Sequence, residues 1–376
     1  MPAITQAQLD GLLDQTFSVP VRHFPGAAPN VAAQQYAALV QRLPNSVLSF
    51  APRTLLHAIG TKAISISVGR IEAVRVAHRY VHILALESGR LRFRDSKDSD
   101  NRTNESREVG IGVTCLLASR VWHFPWDQLE PIRGPGKRFD YRAEVNGLTG
   151  IFEAKGSTYL SVQRDQVLSG LAKKAAHHKR NGPVDVELIV ATRVGVGPSH
   201  PEIVIADPPF EVPEETFGPR GEKVYRYRHW TRVMRYIGAP RLAQAFYEDS
   251  SRIARGMELR PRRRPRRDYS LPDYVDAHGA RYRGHWYRSS FPDIAGYEAR
   301  RQTEREWVRS DFEHNIEVFQ GLREDLLYDA DDRGPEALAS TLPTDSDWEP
   351  KESPQAGAPV SVFSDGTAFA VRIARG

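Results

Sequence analysis

The feature that most constrains the fold is a pair of strand-like runs joined by Asn146-Gly147. Asn-Gly between two such runs favours a two-residue type I′ turn, which sets the residues that face each other across the two strands. Counting outward from the turn, Val145 opposes Leu148 and Asp140 opposes Glu153. Directly opposed residues share a sheet face, with Cβ atoms about 4.5–5.5 Å apart. The sequence therefore predicts a hairpin that brings two carboxylates together.

Lys155 is expected on the same face as Glu153, because side chains along a strand alternate with a period of two. Two carboxylates this close repel each other unless a proton or a cation lies between them. Mg²⁺ suits such a pair because it prefers oxygen ligands, keeps several waters and often bridges carboxylates to phosphate, and Mn²⁺ is an alternative. A lysine beside a metal-bound water can hold or deprotonate it. These groups are the components needed to hydrolyse a phosphodiester.

The segments around the hairpin predict an α/β unit. The expected order is a helix from Asn104 or Ser106 to about Trp122, a strand at about 127–133, the two hairpin strands, a helix over 158–180, and strands at 185–192 and 202–206. Glu108 falls in the first turn of the first of these helices. The preceding segment, 95–107, contains no apolar residue and is predicted to be a linker or a surface loop.

Four elements of this region resemble a known nuclease pattern: Glu108, Asp140, Glu153-Ala154-Lys155 and Gln166. The pattern is that of the PD-(D/E)xK superfamily, the restriction-endonuclease-like nucleases. The resemblance covers about 104–210, and it departs from the pattern at Phe139, where a proline often precedes the aspartate. It implies a restriction-endonuclease-like core, an α/β fold in which helices flank a mixed central sheet.

The same resemblance implies a role for each of these residues. Metal ligation is assigned to Asp140 and Glu153 with assistance from Glu108, activation of the attacking water to Lys155, and support of the site or substrate to Gln166, with Gln163 as a rival. The implied cofactor is Mg²⁺ or Mn²⁺. Asp140, Glu153, Lys155 and Gln166 are thus the predicted catalytic residues.

Two basic segments are candidates for nucleic-acid contact. The helix predicted over 158–180 ends in basic residues that include Lys173 and Lys174, although such a tail also complements the helix dipole. A second segment contains Arg262, Arg263, Arg264, Arg266 and Arg267. Clustered arginine offsets phosphate charge, and aromatic neighbours such as Tyr227 and Trp230 either stack on bases or belong to the core.

Composition divides the chain into four regions. They are an N-terminal α+β unit over 1–95, the nuclease-like core over 104–210, a basic and aromatic, partly helical region over 211–330, and a mobile segment with a terminal hairpin over 331–376. Within them we expect strands at 80–87 and 90–94, an amphipathic helix at 303–327, a mobile stretch at 340–359 and the hairpin at 360–373.

Composition also limits the classes of function. The chain has 376 residues and a formal net charge of +5, and its single cysteine, Cys115, excludes an internal disulfide framework and a cysteine-based zinc site. No apolar run approaches the roughly 20 residues of a membrane helix, and no secretory signal is visible. We therefore expect a cytoplasmic protein with no membrane partner.

These observations predict a Mg²⁺-dependent endonuclease that hydrolyses DNA, acting in restriction or antiviral defence or in DNA repair. DNA is the expected partner, and a further protein subunit is a second one. The alternative is a non-catalytic nucleic-acid-binding or assembly protein with a vestigial nuclease fold. A plainer interpretation treats the hairpin as a surface ribbon in which Lys155 only neutralises Glu153.

Overall fold

The computed structural model describes residues 5–24, 46–63, 80–81, 83–94, 99–122, 124, 128–132, 139–145, 148–181, 184–206, 219–259, 271–289, 316–333, 351–353, 356–363 and 365–374. The helices are α1 (Gln6–Asp14), α2 (Pro52–Ala58), α3 (Ser99–Trp122), α4 (Leu160–Asn181), α5 (Pro219–Ile237), α6 (Pro240–Ala254) and α7 (Glu324–Arg333). The strands are β1 (Phe17–His23), β2 (Val47–Phe50), β3 (Glu130–Pro131), β4 (Tyr141–Val145), β5 (Leu148–Ser157), β6 (Val186–Arg193), β7 (Glu202–Ala206), β8 (Asp273–Ala277), β9 (Ala280–Ser289), β10 (Ile316–Arg323), β11 (Lys351–Ser353), β12 (Ala358–Val362) and β13 (Thr367–Ile373).

Seven of the described strands form a mixed sheet in the order β2-β1-β7-β6-β5-β4-β3. β5 pairs with β6 in parallel, as β1 does with β7, and the other neighbours are antiparallel. Helix α4 is the crossover that the parallel pair β5–β6 requires. Since β1 pairs with β7, this sheet crosses the boundary predicted between regions 1–95 and 104–210.

Helices α3 and α4 cover opposite faces of β5 and β6. Phe152 of β5 belongs to the same apolar core as Val113 of α3. The neighbouring residue, Ile151, packs instead with Val167 of α4. Because side chains alternate along the strand, the odd-numbered residues Glu153 and Lys155 also lie on the α4 face.

Helix α3 approaches the end of β5 very closely. A Cβ atom on Gly156 would overlap the backbone carbonyl of Ser106, and one on Gly110 would overlap the carbonyl of Lys155. The two glycines therefore let the helix backbone meet the strand backbone beside Lys155.

Six of the described strands form a second, antiparallel sheet in the order β11-β12-β13-β10-β9-β8. Its outer strands β11 and β8 come within 8 Å of each other between Cα atoms, so the sheet curls. Strands β12 and β13 confirm the terminal hairpin. Helices α5 and α6 pack together nearby, and Tyr227 and Trp230 are buried in their core rather than exposed for base stacking.

A chain of buried polar side chains joins the end of α2, helix α5 and the terminal hairpin. Lys62 Nζ donates to His229 Nδ1 at 2.9 Å, and His229 Nε2 lies 3.0 Å from Asp365 Oδ2. Because an ammonium group only donates, Nε2 of His229 carries the hydrogen that is directed at Asp365. The Thr367 hydroxyl donates to Asp365 Oδ1 at 2.5 Å and lies 2.9 Å from His57 Nε2. We call these five residues the buried polar network.

Two members of the buried polar network have strongly shifted pKa values. Burial lowers the pKa of His57 to about 3, so its imidazole is neutral. Burial alone would raise the pKa of Asp365, but the hydrogen bonds from the side chains of His229 and Thr367 lower it to about 2. The side chains of Lys62 and Asp365 are thus connected through the imidazole of His229 in a buried chain of hydrogen bonds.

The structure confirms a mixed α/β class and the predicted order of elements from α3 to β6. It also confirms α4 and the strands β6 and β7. Among the described residues of the predicted strands at 80–87 and 90–94, an antiparallel bridge joins Leu84 to Phe93 on either side of a turn at Gly89, and a parallel bridge joins Arg92 to Gly195. The Asn146-Gly147 turn itself lies outside the described residues.

Three sequence predictions are wrong. Helix α3 begins at Ser99, so much of the predicted loop 95–107 is helical; its polar residues extend a helix whose later turns are buried. Within the predicted helix 303–327, residues 316–323 form the central strand β10, which is buried on both faces. In the predicted mobile stretch 340–359, residues 351–353 form β11 and β12 begins at Ala358.

Candidate functional site

The pairing of β4 with β5 places Asp140 beside Glu153. Tyr141 pairs with Phe152, and the backbone nitrogen of Asp140 donates to the carbonyl of Phe152 at 3.1 Å. The carboxylate of Asp140 accepts a hydrogen bond from the backbone nitrogen of Ala154 at 3.0 Å. The predicted register is therefore confirmed over Tyr141–Val145, and we call Asp140 and Glu153, which lie just beyond it, the acid pair.

Glu153 is fully buried, and its two carboxylate oxygens have different surroundings. Oε1 forms ion pairs with Lys155 Nζ and, at 2.5 Å, with Lys173 Nζ. Oε2 is buried and has no hydrogen-bond partner among the described residues. One oxygen is thus occupied by two ammonium groups, while the other is available to a ligand.

The electrostatics of the site follow from this arrangement. Burial raises the pKa of Glu153, and the charge of Asp140 raises it further against the opposing effect of the two lysines. Partial burial alone would lower the pKa of Lys173, but its hydrogen bond to Glu153 raises it. Lys173 is therefore held as a cation, and the ionised form of Glu153 depends on nearby positive charge.

The acid pair fits a hard divalent cation. Mg²⁺ binds proteins through one or two carboxylates and keeps several waters. Oε2 of Glu153 is a buried oxygen atom, able to ligate a metal, that has no hydrogen-bond partner among the described residues. The negative charge of Asp140 acts on the same carboxylate and raises its pKa. These two residues could hold the ion without a third acidic side chain.

Glu108, predicted as a third metal ligand, does not join the acid pair. Its Oε2 accepts a hydrogen bond from the Tyr80 hydroxyl at 2.8 Å. The part of the chain that the structure describes contains no cluster of three or more His, Cys, Asp or Glu side chains able to hold a metal. Because α3 begins earlier than predicted, Glu108 lies well inside the helix instead of in its first turn.

Of the two candidate glutamines, Gln166 contacts β5, the strand that carries Glu153. Its Nε2 donates to the carbonyl of Gly156, the residue after Lys155, at 3.0 Å. Its Oε1 is buried and has no hydrogen-bond partner among the described residues. The Gln163 side chain donates to the carbonyl of Ala191 at 2.8 Å and ties α4 to β6. The two glutamines therefore bind different strands of the sheet: Gln166 contacts the end of β5, which carries Glu153 and Lys155, and Gln163 contacts β6.

The adjacent residues Lys173 and Lys174 lie in different environments. Lys174 is fully buried and donates to the carbonyl of Glu187 at 3.2 Å, so its prediction as a nucleic-acid contact is wrong. Lys173, predicted for the same role, reaches Glu153 instead. Sequence reasoning missed this contact, although Lys173 lies two helical turns after Gln166 and on the same face of α4.

The arginines predicted to contact nucleic acid, Arg262, Arg263, Arg264, Arg266 and Arg267, lie outside the described residues. No helix in the described ranges has the length and apolarity to cross a membrane. No known protein family, curated protein or solved structure matches the chain. The geometry of the acid pair and its lysines therefore carries the functional argument.

Proposed function

We propose that the protein is a Mg²⁺-dependent deoxyribonuclease built on a restriction-endonuclease-like core. The observation that carries the proposal is the acid pair, with Lys155 bound to Glu153 and one oxygen of Glu153 left without a hydrogen-bond partner among the described residues. The order of elements from α3 to β6, with a helix on each face of the sheet, supports the same proposal.

Asp140 and Glu153 would hold the ion, which when bound supplies Lewis-acid activation of the phosphoryl group and of a water. Lys155 keeps about a fifth of its side chain exposed, so its ammonium group reaches solvent while it touches Glu153. From that position it orients a water molecule and stabilises developing negative charge. Gln166 offers its buried Oε1 as an acceptor beside the same strand end.

The proposed setting is a restriction or antiviral defence system in the cytoplasm, with DNA repair as the second choice. In either setting DNA is the substrate, and a further subunit is the proposed protein partner. The basic residues beyond α6, including Arg262 and Arg267, would supply phosphate contacts outside the described residues.

One observation favours the non-catalytic alternative. Lys155 and Lys173 together place two positive charges on one oxygen of Glu153, and a purely structural ion pair would show the same contacts. Under this alternative the protein binds nucleic acid without cleaving it. The two proposals differ in whether any metal-dependent cleavage exists.

The deciding experiment incubates the protein with supercoiled plasmid, linear duplex, single-stranded DNA and RNA, each with Mg²⁺, Mn²⁺ or EDTA. We expect metal-dependent cleavage of DNA that disappears in Glu153→Gln and Asp140→Asn, while DNA binding in EDTA is retained. Glu248→Gln, an exposed substitution on α6, is the matched control and should cleave normally. Cleavage that persists in both acid-pair variants, or no cleavage of any substrate, would overturn the proposal.

A further inference from the structure

Lys173 gives the acid pair a second cation that comes from another element of the fold. Lys155 lies on β5 with its partner Glu153, whereas Lys173 reaches the same oxygen from α4 at 2.5 Å. Its side chain is about one-fifth exposed, so it is able to move away from Glu153 into solvent. Lys173 thus has a flexible side chain whose ammonium group binds a fully buried carboxylate.

The formal charges of this cluster cancel. Asp140 and Glu153 contribute two negative charges, and the ammonium groups of Lys155 and Lys173 contribute two positive ones. A divalent cation that enters this neutral cluster leaves it with an excess charge of +2 in a mostly buried site, where like charges repel strongly. A phosphodiester carries one negative charge and offsets part of that excess.

We propose that Lys173 makes metal binding at the acid pair depend on a bound phosphodiester. Before substrate binds, Lys173 occupies Glu153 as an internal counter-ion and keeps metal affinity low. When a backbone phosphate arrives, the Lys173 ammonium transfers from Glu153 to the phosphate, and the positive charge beside Glu153 that opposes metal binding decreases. This inference rests on the proposed nuclease function and deepens it, because it adds a regulation of metal loading by substrate.

The physical consequence is a positive coupling between two ligands. The phosphate raises the affinity for the metal, and by linkage the metal raises the affinity for the phosphate by the same factor. Lys155 lies on the same strand as Glu153 and is assigned to the water in the proposed function, so the ammonium group that transfers to the phosphate is that of Lys173. Lys173 is therefore assigned as a positioning residue for the metal site.

The test measures Mn²⁺ binding from the electron paramagnetic resonance signal of free Mn²⁺, with and without a phosphorothioate DNA duplex that resists cleavage. In the wild-type protein the duplex should tighten Mn²⁺ binding by about tenfold, a typical coupling between two sites. Lys173→Met should bind Mn²⁺ about tenfold more tightly than wild type without the duplex, and should gain less from adding it. Lys173→Gln, which replaces the ammonium with a polar group, provides a second variant should the first be unstable.

Arg164→Met is the matched control. Arg164 is exposed on the same helix, and its nine-residue separation from Lys173 places it on about the opposite side of α4. Removing its charge should leave both Mn²⁺ affinities unchanged, which separates the local effect of Lys173 from a general change in net charge.

The outcomes distinguish this inference from the proposed function. If the wild-type protein binds Mn²⁺, Glu153→Gln abolishes binding, and both Lys173 variants behave like wild type, only the present inference is overturned. If wild type binds no Mn²⁺ with or without duplex, the metal site and this inference fail together. If the duplex tightens Mn²⁺ binding in wild type and in Arg164→Met but not in the Lys173 variants, the result supports both the metal site and this inference.

Discussion

The hydroxyl of Tyr141 donates a hydrogen bond of 2.7 Å to the backbone carbonyl of Lys62. Tyr141 directly follows Asp140, and the side chain of Lys62 is the first member of the buried polar network. The strand that positions the acid pair is therefore attached, on its opposite face, to the residues that hold α5 and the terminal hairpin in place.

We expect Tyr141→Phe to lower the free energy of unfolding by about 1 kcal/mol, because the buried carbonyl of Lys62 loses this donor. Urea unfolding monitored by circular dichroism measures the change. Metal affinity should remain the same, since the Asp140 carboxylate is held by the backbone nitrogen of Ala154. A Tyr141→Phe variant as stable as wild type would show that the hydrogen bond contributes nothing to stability.

Asp365→Asn should be far more damaging. The substitution removes a buried carboxylate that accepts hydrogen bonds from His229 and Thr367, and hydrogen bonds to charged groups are worth about 1.5–3 kcal/mol each. The exposed pair of Asp276 with Arg281 supplies the control, since Asp276→Asn is expected to change stability by less than about 1 kcal/mol. Equal effects of the two substitutions in chemical denaturation would contradict the role of the network.

Protein stability should fall on acidification because of His57. Its pKa in the folded protein is about 3, below the ordinary value of 6.5. Between these two pH values the imidazole is protonated in the unfolded chain and neutral in the folded protein. The associated stability is complete above pH 6.5 and is lost as the pH falls toward 3, which amounts to about 2 kcal/mol between pH 7.5 and pH 5. Urea titrations at the two pH values should show a smaller difference in His57→Gln, and an unchanged difference would assign the acid sensitivity to other groups.

Gly156→Ala should disturb both the fold and the site. The new methyl group would overlap the backbone carbonyl of Ser106, so α3 must move away from β5 beside Lys155. We expect a loss of about 3 kcal/mol or more, typical of severe overpacking. Gly11→Ala is the control, because no atom lies within 4 Å of its added Cβ and alanine favours the exposed α1 helix by about 0.5–1 kcal/mol. A thermally stable Gly156→Ala protein would contradict the close approach of the two backbones.

Lys155→Met should separate catalysis from stability. Removing a group that orients or deprotonates water typically costs about 10²–10⁴-fold in rate, whereas Lys173 still neutralises Glu153 and the fold is retained.

Lys174→Met should do the reverse, lowering the melting temperature because it leaves buried Glu187 without its lysine. Single-turnover cleavage rates and melting curves of both variants measure the difference, and a normal cleavage rate for Lys155→Met would remove Lys155 from the proposed mechanism.

The acid pair could be predicted from the sequence because its geometry is local. A two-residue turn and a period of two suffice to bring Asp140 close to Glu153, and neither depends on the rest of the chain. The contact of Lys173 with Glu153 depends on how α4 lies against β5, which strand periodicity does not specify. Glu108 was misplaced for a related reason: its position relative to the site depends on where α3 begins.

Strand β10 shows a different limit of sequence reasoning. Ile316, Phe319 and Leu322 fit the spacing of a helical face, but β10 is buried on both sides and therefore requires no alternation. The pairing of β1 with β7 was also beyond prediction, since it joins segments far apart in the chain. Local sequence patterns determine strand register and short elements. Where one pattern is compatible with both a helix and a buried strand, tertiary packing decides which of the two forms.

The contact between His57 and Thr367 joins residues that are 310 positions apart. At translation rates of 5–20 residues per second, roughly 15–60 s pass between the emergence of the first residue and that of the second. Throughout this interval Lys62 and His57 lack the hairpin residues, Asp365 and Thr367, that complete the buried polar network. The sheet that carries the acid pair therefore reaches its mature packing only after the distant hairpin has left the ribosome.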